Sequence, residues 1–123
     1  MATSLPKPQG SNEPFPDVFD KAHLSHYTLG DVALEQEIIS LFLVQLPTTV
    51  DLIRQAKTPA EWKLAAHTLK GAAAAVGAQR LRSIAADLEL LSVATGSVVK
   101  ERHLSALAEA IEEFRDVVRH IYP

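Results

Sequence analysis

A histidine, a lysine and a glycine lie together in an alanine-rich segment, AAHTLKGAAAAVGA, which spans residues 65–78. The neutral imidazole of His67 is a nucleophile near physiological pH, because the reference pKa of histidine is about 6.5. In a helix, the ammonium group of Lys70 would lie one turn from that ring. Gly71 is unexpected, because glycine destabilises a helix interior by about 0.5–1 kcal/mol relative to alanine. These three residues are therefore the first candidates for a functional site.

Helical geometry predicts that His67 projects away from the core. A helix turns by about 100° per residue, which places Trp62, Leu69 and Val76 opposite the histidine, with Ala65, Ala72 and Ala73 flanking them. The residues expected around the histidine are small, apolar or basic: Ala60, Lys63, Leu64, Lys70, Gly71 and Ala74. Small residues leave room for another surface, and a nearby cation favours an anionic group on the ring. The pattern indicates a nucleophilic imidazole for phosphate, while an exposed His–Lys pair without function is the alternative.

The composition fits one water-soluble domain with a single hydrophobic core. The chain has 123 residues, of which 47% are hydrophobic and 22% charged, and its formal net charge of -3 provides no basic field for nucleic acid. It contains no cysteine, which excludes disulfides, zinc–thiolate sites and cysteine nucleophiles and fits a reducing compartment. The sequence shows no signal-peptide core and no apolar run of about 20 residues. We therefore expect a cytoplasmic protein with no membrane or nucleic-acid partner.

The N-terminal part of the chain predicts a tail followed by helices. Residues 1–16 contain four of the seven prolines and are expected to be disordered, whereas residues 17–123 are expected to form one helical domain. A short helix should start after Asp20, and Asp31 should cap the next one. The second helix is expected to bury one stripe, and Pro47 should either kink it or begin a new helix. The residues expected to be buried are Leu34, Ile38, Leu41, Phe42, Gln45, Val50, Leu52, Ile53 and Ala56.

Three further helices complete the prediction. Thr58, Pro59 and Glu61 form a capping-box start, and Gly77 should end that helix in a left-handed cap. A fourth helix is expected near residues 78–93, followed by a turn at 94–97. The last helix carries apolar residues spaced 3-4-3-4-3: Leu104, Leu107, Ile111, Phe114, Val118 and Ile121. The predicted fold is all-α, an antiparallel four-helix bundle with a short additional N-terminal helix.

The segment AHTLKGAAAAVGAQRL, followed by LE at 88–89, resembles the signature of histidine phosphotransfer (HPt) domains of multistep phosphorelays. That signature is a histidine, then Leu-Lys-Gly from the second place after it, small residues, and a glycine ending the helix. Here these are His67, Leu69, Lys70, Gly71 and Gly77. The resemblance extends upstream through LFLVQLP and AEW and covers roughly residues 19–89, while the last helix fits only as a generic bundle partner.

The resemblance implies a role for each matched residue. His67 would carry the phosphoryl group on Nε2, Lys70 would help bind the phosphoryl oxygens, and Gly71 would leave space beside the histidine. Some family members hold the other imidazole nitrogen with a glutamine of the neighbouring helix, and Glu89 occupies that position here. A carboxylate could accept a hydrogen bond from Nδ1–H, but it could equally repel the phosphoryl group.

The resemblance also implies the partners of the domain. They would be response-regulator receiver domains and a hybrid sensor histidine kinase, with Mg²⁺ supplied by the receiver and no cofactor of its own. We expect a monomeric phosphocarrier rather than an enzyme. Partner recognition would use Leu64, Leu24, Tyr27 and Leu29, although these could equally be core residues. Arg80 and Arg82 could lie near the partner surface, but the preferred interpretation is that they are ordinary solvated arginines.

Three other functions are weighed against this one. The first is a helical interaction module whose histidine is never modified. The second is a metal-binding bundle, suggested by four histidines that lack a facing Glu-x-x-His motif: His23, His26, His103 and His120. The third, a kinase, is rejected because the chain has no glycine-rich nucleotide loop.

Overall fold

The computed structural model describes residues 14–123, and this part of the chain is all-helical, with five helices and no strand. The helices are α1 (Lys21–Thr28), α2 (Val32–Gln55), α3 (Pro59–Val76), α4 (Gln79–Leu90) and α5 (Ser97–Ile121). Most of the predicted disordered tail, residues 1–13, lies outside the described residues. Its last part, 14–16, forms a bend that leads into a turn before α1.

Local capping chemistry sets the starts of α1, α2 and α3 and the end of α3, as the sequence predicts. The Asp20 side chain accepts from the backbone N–H of His23 at the start of α1, and Asp31 caps α2 in the same way. Helix α3 begins with the complete capping box of Thr58 and Glu61. It ends at Gly77, whose φ of 84° is the left-handed cap. The predicted bounds of α3 are therefore confirmed.

Helix α3 packs between α2 and α4, and α4 packs in turn against α5. The core side of α3 contributes Trp62, Leu69 and Val76, all of them buried. Phe114 of α5 contacts both Phe19 and Phe42 through edge-to-face ring pairs. This core fixes α3 from both sides and leaves its third side open.

Helix α2 buries a different face from the one that the sequence predicts. Four residues that were expected to be buried are exposed, so this expectation is wrong for Leu34, Leu41, Gln45 and Leu52. The stripe is shifted by one residue, and its buried members are Glu35, Ile39, Phe42, Leu46 and Ile53. Apolar residues surround most of α2, so the hydrophobic pattern does not favour a single face. The choice of face depends instead on the partners of Glu35.

Glu35 is a fully buried carboxylate that connects three parts of the fold. It accepts hydrogen bonds from Ser25 and Thr28 of α1, at 2.7 and 2.8 Å, and from the Tyr122 hydroxyl at 2.8 Å. Lys21 Nζ lies 3.5 Å from it. Burial raises the pKa of Glu35, but the three hydrogen bonds and Lys21 outweigh it, so the pKa is lowered. The ionised carboxylate therefore ties α1 and the end of α5 to α2.

Pro47 lies inside α2, and the helix continues through it to Gln55 without a new start. Of the two alternatives for Pro47, a second helix beginning there is therefore wrong. By length and composition alone, α2 is also apolar enough to cross a membrane. Core helices of soluble proteins pass the same test, so this helix gives no evidence for or against a membrane.

Candidate functional site

His67 lies in the middle of α3, on the side that no other helix covers. Its side chain is 64% exposed, as its position opposite Trp62 and Leu69 predicts. Two alanines differ from the helical-wheel prediction. Ala72, which was expected to flank the core face, is exposed, and Ala66, which was not assigned to that face, is fully buried. Helices pack on both sides of α3, and the resulting buried stripe is wider on one side than a simple helical wheel suggests. The histidine remains outside that stripe.

Glu89 of α4 contacts both charged candidates of α3. Its Oε2 lies 3.0 Å from Nδ1 of His67, and its Oε1 lies 2.6 Å from Nζ of Lys70. The Glu89 side chain is 15% exposed, so the carboxylate lies in the seam between the helices. The structure thus brings His67, Lys70 and Glu89 into one hydrogen-bonded cluster.

A buried hydrogen bond beside the cluster fixes how α3 and α4 are aligned. The indole Nε1–H of Trp62 donates to the carbonyl of Leu88 at 2.8 Å. Leu88 immediately precedes Glu89, and its side chain is fully buried. Because a buried indole N–H is costly to leave unpaired, this bond opposes sliding of one helix along the other. Trp62 therefore helps to place the Glu89 carboxylate beside His67.

The electrostatics of the cluster determine which ring nitrogen is free. The hydrogen bond from Lys70 lowers the pKa of Glu89 most, burial raises it, and the contact with His67 lowers it further. The net effect is a pKa below the ordinary value, so Glu89 is ionised and can only accept. Nδ1 of His67 therefore carries the proton, which leaves the lone pair of the neutral ring on Nε2. No hydrogen bond engages Nε2 within residues 14–123.

Gly71 has no structural reason to be glycine in the free protein. A Cβ added there would meet no atom within 4 Å, and its backbone is ordinary helix. Gly77 differs, because it has a positive φ and an added Cβ would lie 2.7 Å from the carbonyl oxygen of Asp20. Gly71 lies four residues after His67, so the open space is next to the imidazole on the same face.

An apolar groove runs between α2 and α3 on the other side of His67. Two adjoining depressions form it, and both are lined by Thr49 and Thr68. Leu41 lines one depression, and Leu52 and Leu64 line the other. The hydrophobic pattern of α2 does not reveal this groove, because it places Leu41 and Leu52 in the core. The cluster on the α4 side is polar, whereas the groove on the α2 side is almost uncharged.

The remaining candidate residues fall into separate groups. Leu24 is buried and belongs to the core, whereas Tyr27, Leu29 and Leu64 are exposed. Arg80 is paired with Glu113 at 2.7 Å. Arg82 is exposed and forms no ion pair with any described residue.

The described part of the chain does not favour the alternative of a metal-binding bundle. No group of three or more histidine, cysteine or acidic side chains that could hold a metal ion is found within residues 14–123. His23 and His26 form ring contacts with Tyr27. His103 Nδ1 lies 2.9 Å from the carbonyl of Val99.

Comparison with protein families identifies one match. The model of the Hpt domain family matches residues 37–120, which includes the candidate site and most of α5. The match thus extends further toward the C-terminus than the signature resemblance, and it begins within α2. Searches of curated proteins and of solved structures gave no match. The match spans more than half of the chain and contains His67, Lys70, Gly71 and Glu89, and the chain therefore belongs to the Hpt domain family.

Proposed function

We propose that this protein relays a phosphoryl group between receiver-domain aspartates through His67. The Nε2 lone pair attacks the phosphorus of an aspartyl phosphate, the N–P bond forms, and the P–O bond to the aspartate breaks. The aspartate carboxylate leaves with the bonding electron pair, and the proton on Nδ1 stays in place. The ring thereby becomes an imidazolium that faces the Glu89 carboxylate. Transfer to a second receiver reverses these steps.

One observation carries the proposal, namely the exposed His67 ring whose Nδ1 is held by an ionised carboxylate. A carboxylate in this position fixes the tautomer and stabilises the positive charge that the ring acquires. The Hpt family match supports a phosphotransfer role in general. Glu89 is accordingly proposed as the residue that orients His67, and Lys70 as the cation that binds the phosphoryl oxygens.

The surroundings of His67 suit a partner protein better than a small substrate. Gly71 leaves the approach to the ring open, and the groove lined by Leu41, Leu52 and Leu64 provides an exposed apolar surface beside it. We assign this surface to receiver docking. The receiver would supply Mg²⁺ for the chemistry, and a hybrid sensor histidine kinase would supply the phosphoryl group at the start of the relay. The protein itself acts as a phosphocarrier.

The arrangement proposed for residues 17–123 is an antiparallel four-helix bundle of α2–α5, with α1 packed at one end. The contacts of Trp62 with Leu88 and of Arg80 with Glu113 support antiparallel directions for α3, α4 and α5. We further propose that the domain is monomeric and cytoplasmic. The fold then serves to hold α3 rigidly while one side of it faces the partner.

The proposal is tested by phosphotransfer from radiolabelled, phosphorylated receivers of the source organism. Wild type should acquire phosphate that is labile in acid and stable in alkali, and His67→Gln should acquire none. The matched control is His26→Gln, because His26 is also an exposed helical histidine. It should be labelled like wild type. Undiminished labelling of His67→Gln would refute the assignment. A wild-type chain that no receiver labels would favour an interaction module whose histidine is not modified.

A further inference from the structure

The lysine proposed to bind the phosphoryl group is already engaged in the unmodified protein. Lys70 Nζ lies 2.6 Å from Glu89 Oε1, while the other oxygen of the same carboxylate contacts Nδ1 of His67. Each carboxylate oxygen thus has its own donor. The hydrogen bond from Lys70 is also the largest influence lowering the pKa of Glu89, and its distance is the shorter of the two.

A phosphoryl group on Nε2 would require the same cation. It adds a charge of about -1.5 to -2 and three strong acceptor oxygens next to α3. Lys70 is 34% exposed on a flexible stem, so its ammonium group can leave Glu89 and reach a new acceptor on the open side. Contact with both anions at once would weaken each contact, because the carboxylate lies at Nδ1 and the phosphoryl oxygens would lie at Nε2, on the other side of the imidazole ring.

The other charged groups around His67 do not replace Lys70. Lys63 lies one turn before His67 on the same face and is exposed, but because helical side chains lean toward the helix N-terminus, it leans away from the ring whereas Lys70 leans toward it. Arg82 lies two turns before Glu89 on α4, about 10 Å along the helix axis. The side facing α2 is the apolar groove, whose lining residues include one carboxylate, Glu61, and no lysine or arginine. Lys70 is therefore the cation within one turn of His67 on its C-terminal side, and Glu89 competes with the phosphoryl group for it.

We infer that Glu89 sets the phosphoryl-transfer equilibrium of His67 by competing with the phosphoryl group for Lys70. The inference rests on the proposed function and describes how the same site is regulated. In the unmodified state, Lys70 and Glu89 neutralise each other. On phosphorylation Lys70 moves to the phosphoryl oxygens with its protons unchanged, and Glu89 continues to accept the hydrogen bond from Nδ1–H. The lost Lys70–Glu89 contact raises the free energy of the phosphorylated state, which favours passing the group on over storing it.

Glu89 is a positioning residue in this scheme. Its replacement by glutamine removes the negative charge and keeps the size and shape of the side chain. Glutamine still accepts from Nδ1–H through its side-chain oxygen, so the ring keeps its orientation, but it releases Lys70. It also removes the negative charge that faces the imidazolium of the phosphorylated ring, and the Lys70→Ala background measures this second, opposite effect by itself. The matched control is Asp87→Asn, which removes the same charge from an exposed position of α4 two residues earlier. Circular dichroism of each variant checks that the helices are intact.

The experiment measures the equilibrium constant for phosphoryl exchange with one purified receiver. Glu89→Gln should shift it toward phosphohistidine by about two- to fivefold, the range expected for a partly exposed ion pair. Lys70→Ala should shift it the other way, and Asp87→Asn should leave it unchanged. In the Lys70→Ala background, Glu89→Gln should no longer shift the equilibrium toward phosphohistidine, since no cation is left to release.

The outcomes separate this inference from the proposed function. If no receiver labels the wild type, both fail. If the wild type is labelled but Glu89→Gln leaves the equilibrium constant unchanged, only the inference fails. It is also overturned if Glu89→Gln has the same effect with and without Lys70, because Glu89 would then act on the ring alone.

Discussion

Replacing Gly71 with alanine is expected to stabilise the protein and slow phosphotransfer at the same time. An alanine Cβ at this position meets no atom within 4 Å, so no strain offsets the gain in helix propensity. The free energy of unfolding should rise by about 0.5–1 kcal/mol. For a domain of this size the corresponding rise in Tm is about 2–5 °C. If Gly71 were instead required for packing in the core, Gly71→Ala would lower the free energy of unfolding.

The functional effect of the same change comes from the methyl group it adds beside His67. A receiver must bring its aspartyl phosphate to about 3–3.5 Å from Nε2, and a displacement of the order of 1 Å is costly. We expect the rate of transfer to Gly71→Ala to fall about tenfold or more. The assay is the labelling rate from a phosphorylated receiver, measured beside urea unfolding followed through the buried Trp62.

A second variant separates the stability effect from the steric one. Ala108 is exposed in α5, so Ala108→Gly should cost about as much stability as Gly71→Ala gains. The double variant Gly71→Ala, Ala108→Gly should therefore unfold like wild type and still transfer slowly. Recovery of the wild-type rate in this double variant would show that rigidity, not access, limits transfer. A destabilised Gly71→Ala variant would refute the structural argument itself.

Three further changes test the fold. Tyr122→Phe removes a hydrogen bond to the buried Glu35 carboxylate and should cost about 1–2 kcal/mol of unfolding free energy in urea titrations. Because the pKa of Glu35 is lowered on folding, its stabilising contribution is present above the unfolded value near 4.5 and is lost as the pH falls below it. Glu35→Gln should therefore make the loss of stability between neutral and acidic pH less steep, and an unchanged slope would contradict the assignment. Gly77→Ala should destabilise by about 1–3 kcal/mol, since φ is 84° and the new Cβ would lie 2.7 Å from the Asp20 carbonyl oxygen; a neutral effect on Tm would contradict this.

In helix α2 the hydrophobic pattern does not predict which face is buried. Its sequence places apolar residues on nearly every side, so several faces could be buried with similar gain. A charged residue such as Glu35 is expected outside, because burial of an unpaired carboxylate is costly. Here Ser25, Thr28 and Tyr122 provide its partners, and one of them comes from the far end of the chain. Only folding brings these partners together, and only then does the buried face of α2 become definite.

The sequence by itself determined the features of this protein that depend on neighbours along the chain. The caps at Asp20, Asp31 and Thr58, the end of α3 at Gly77 and the outward direction of His67 all follow from local chemistry and helical period.

The tertiary structure decided which groups meet at His67. Glu89 lies 22 residues from His67 in the sequence, and no local rule relates two helices that far apart. Packing of α4 against α3, aligned by the bond from Trp62 to Leu88, places the carboxylate between His67 and Lys70. That alignment determines the tautomer of His67 and pairs Lys70 with Glu89 in the unmodified protein. Both follow from contacts between two helices and not from contacts within one helix.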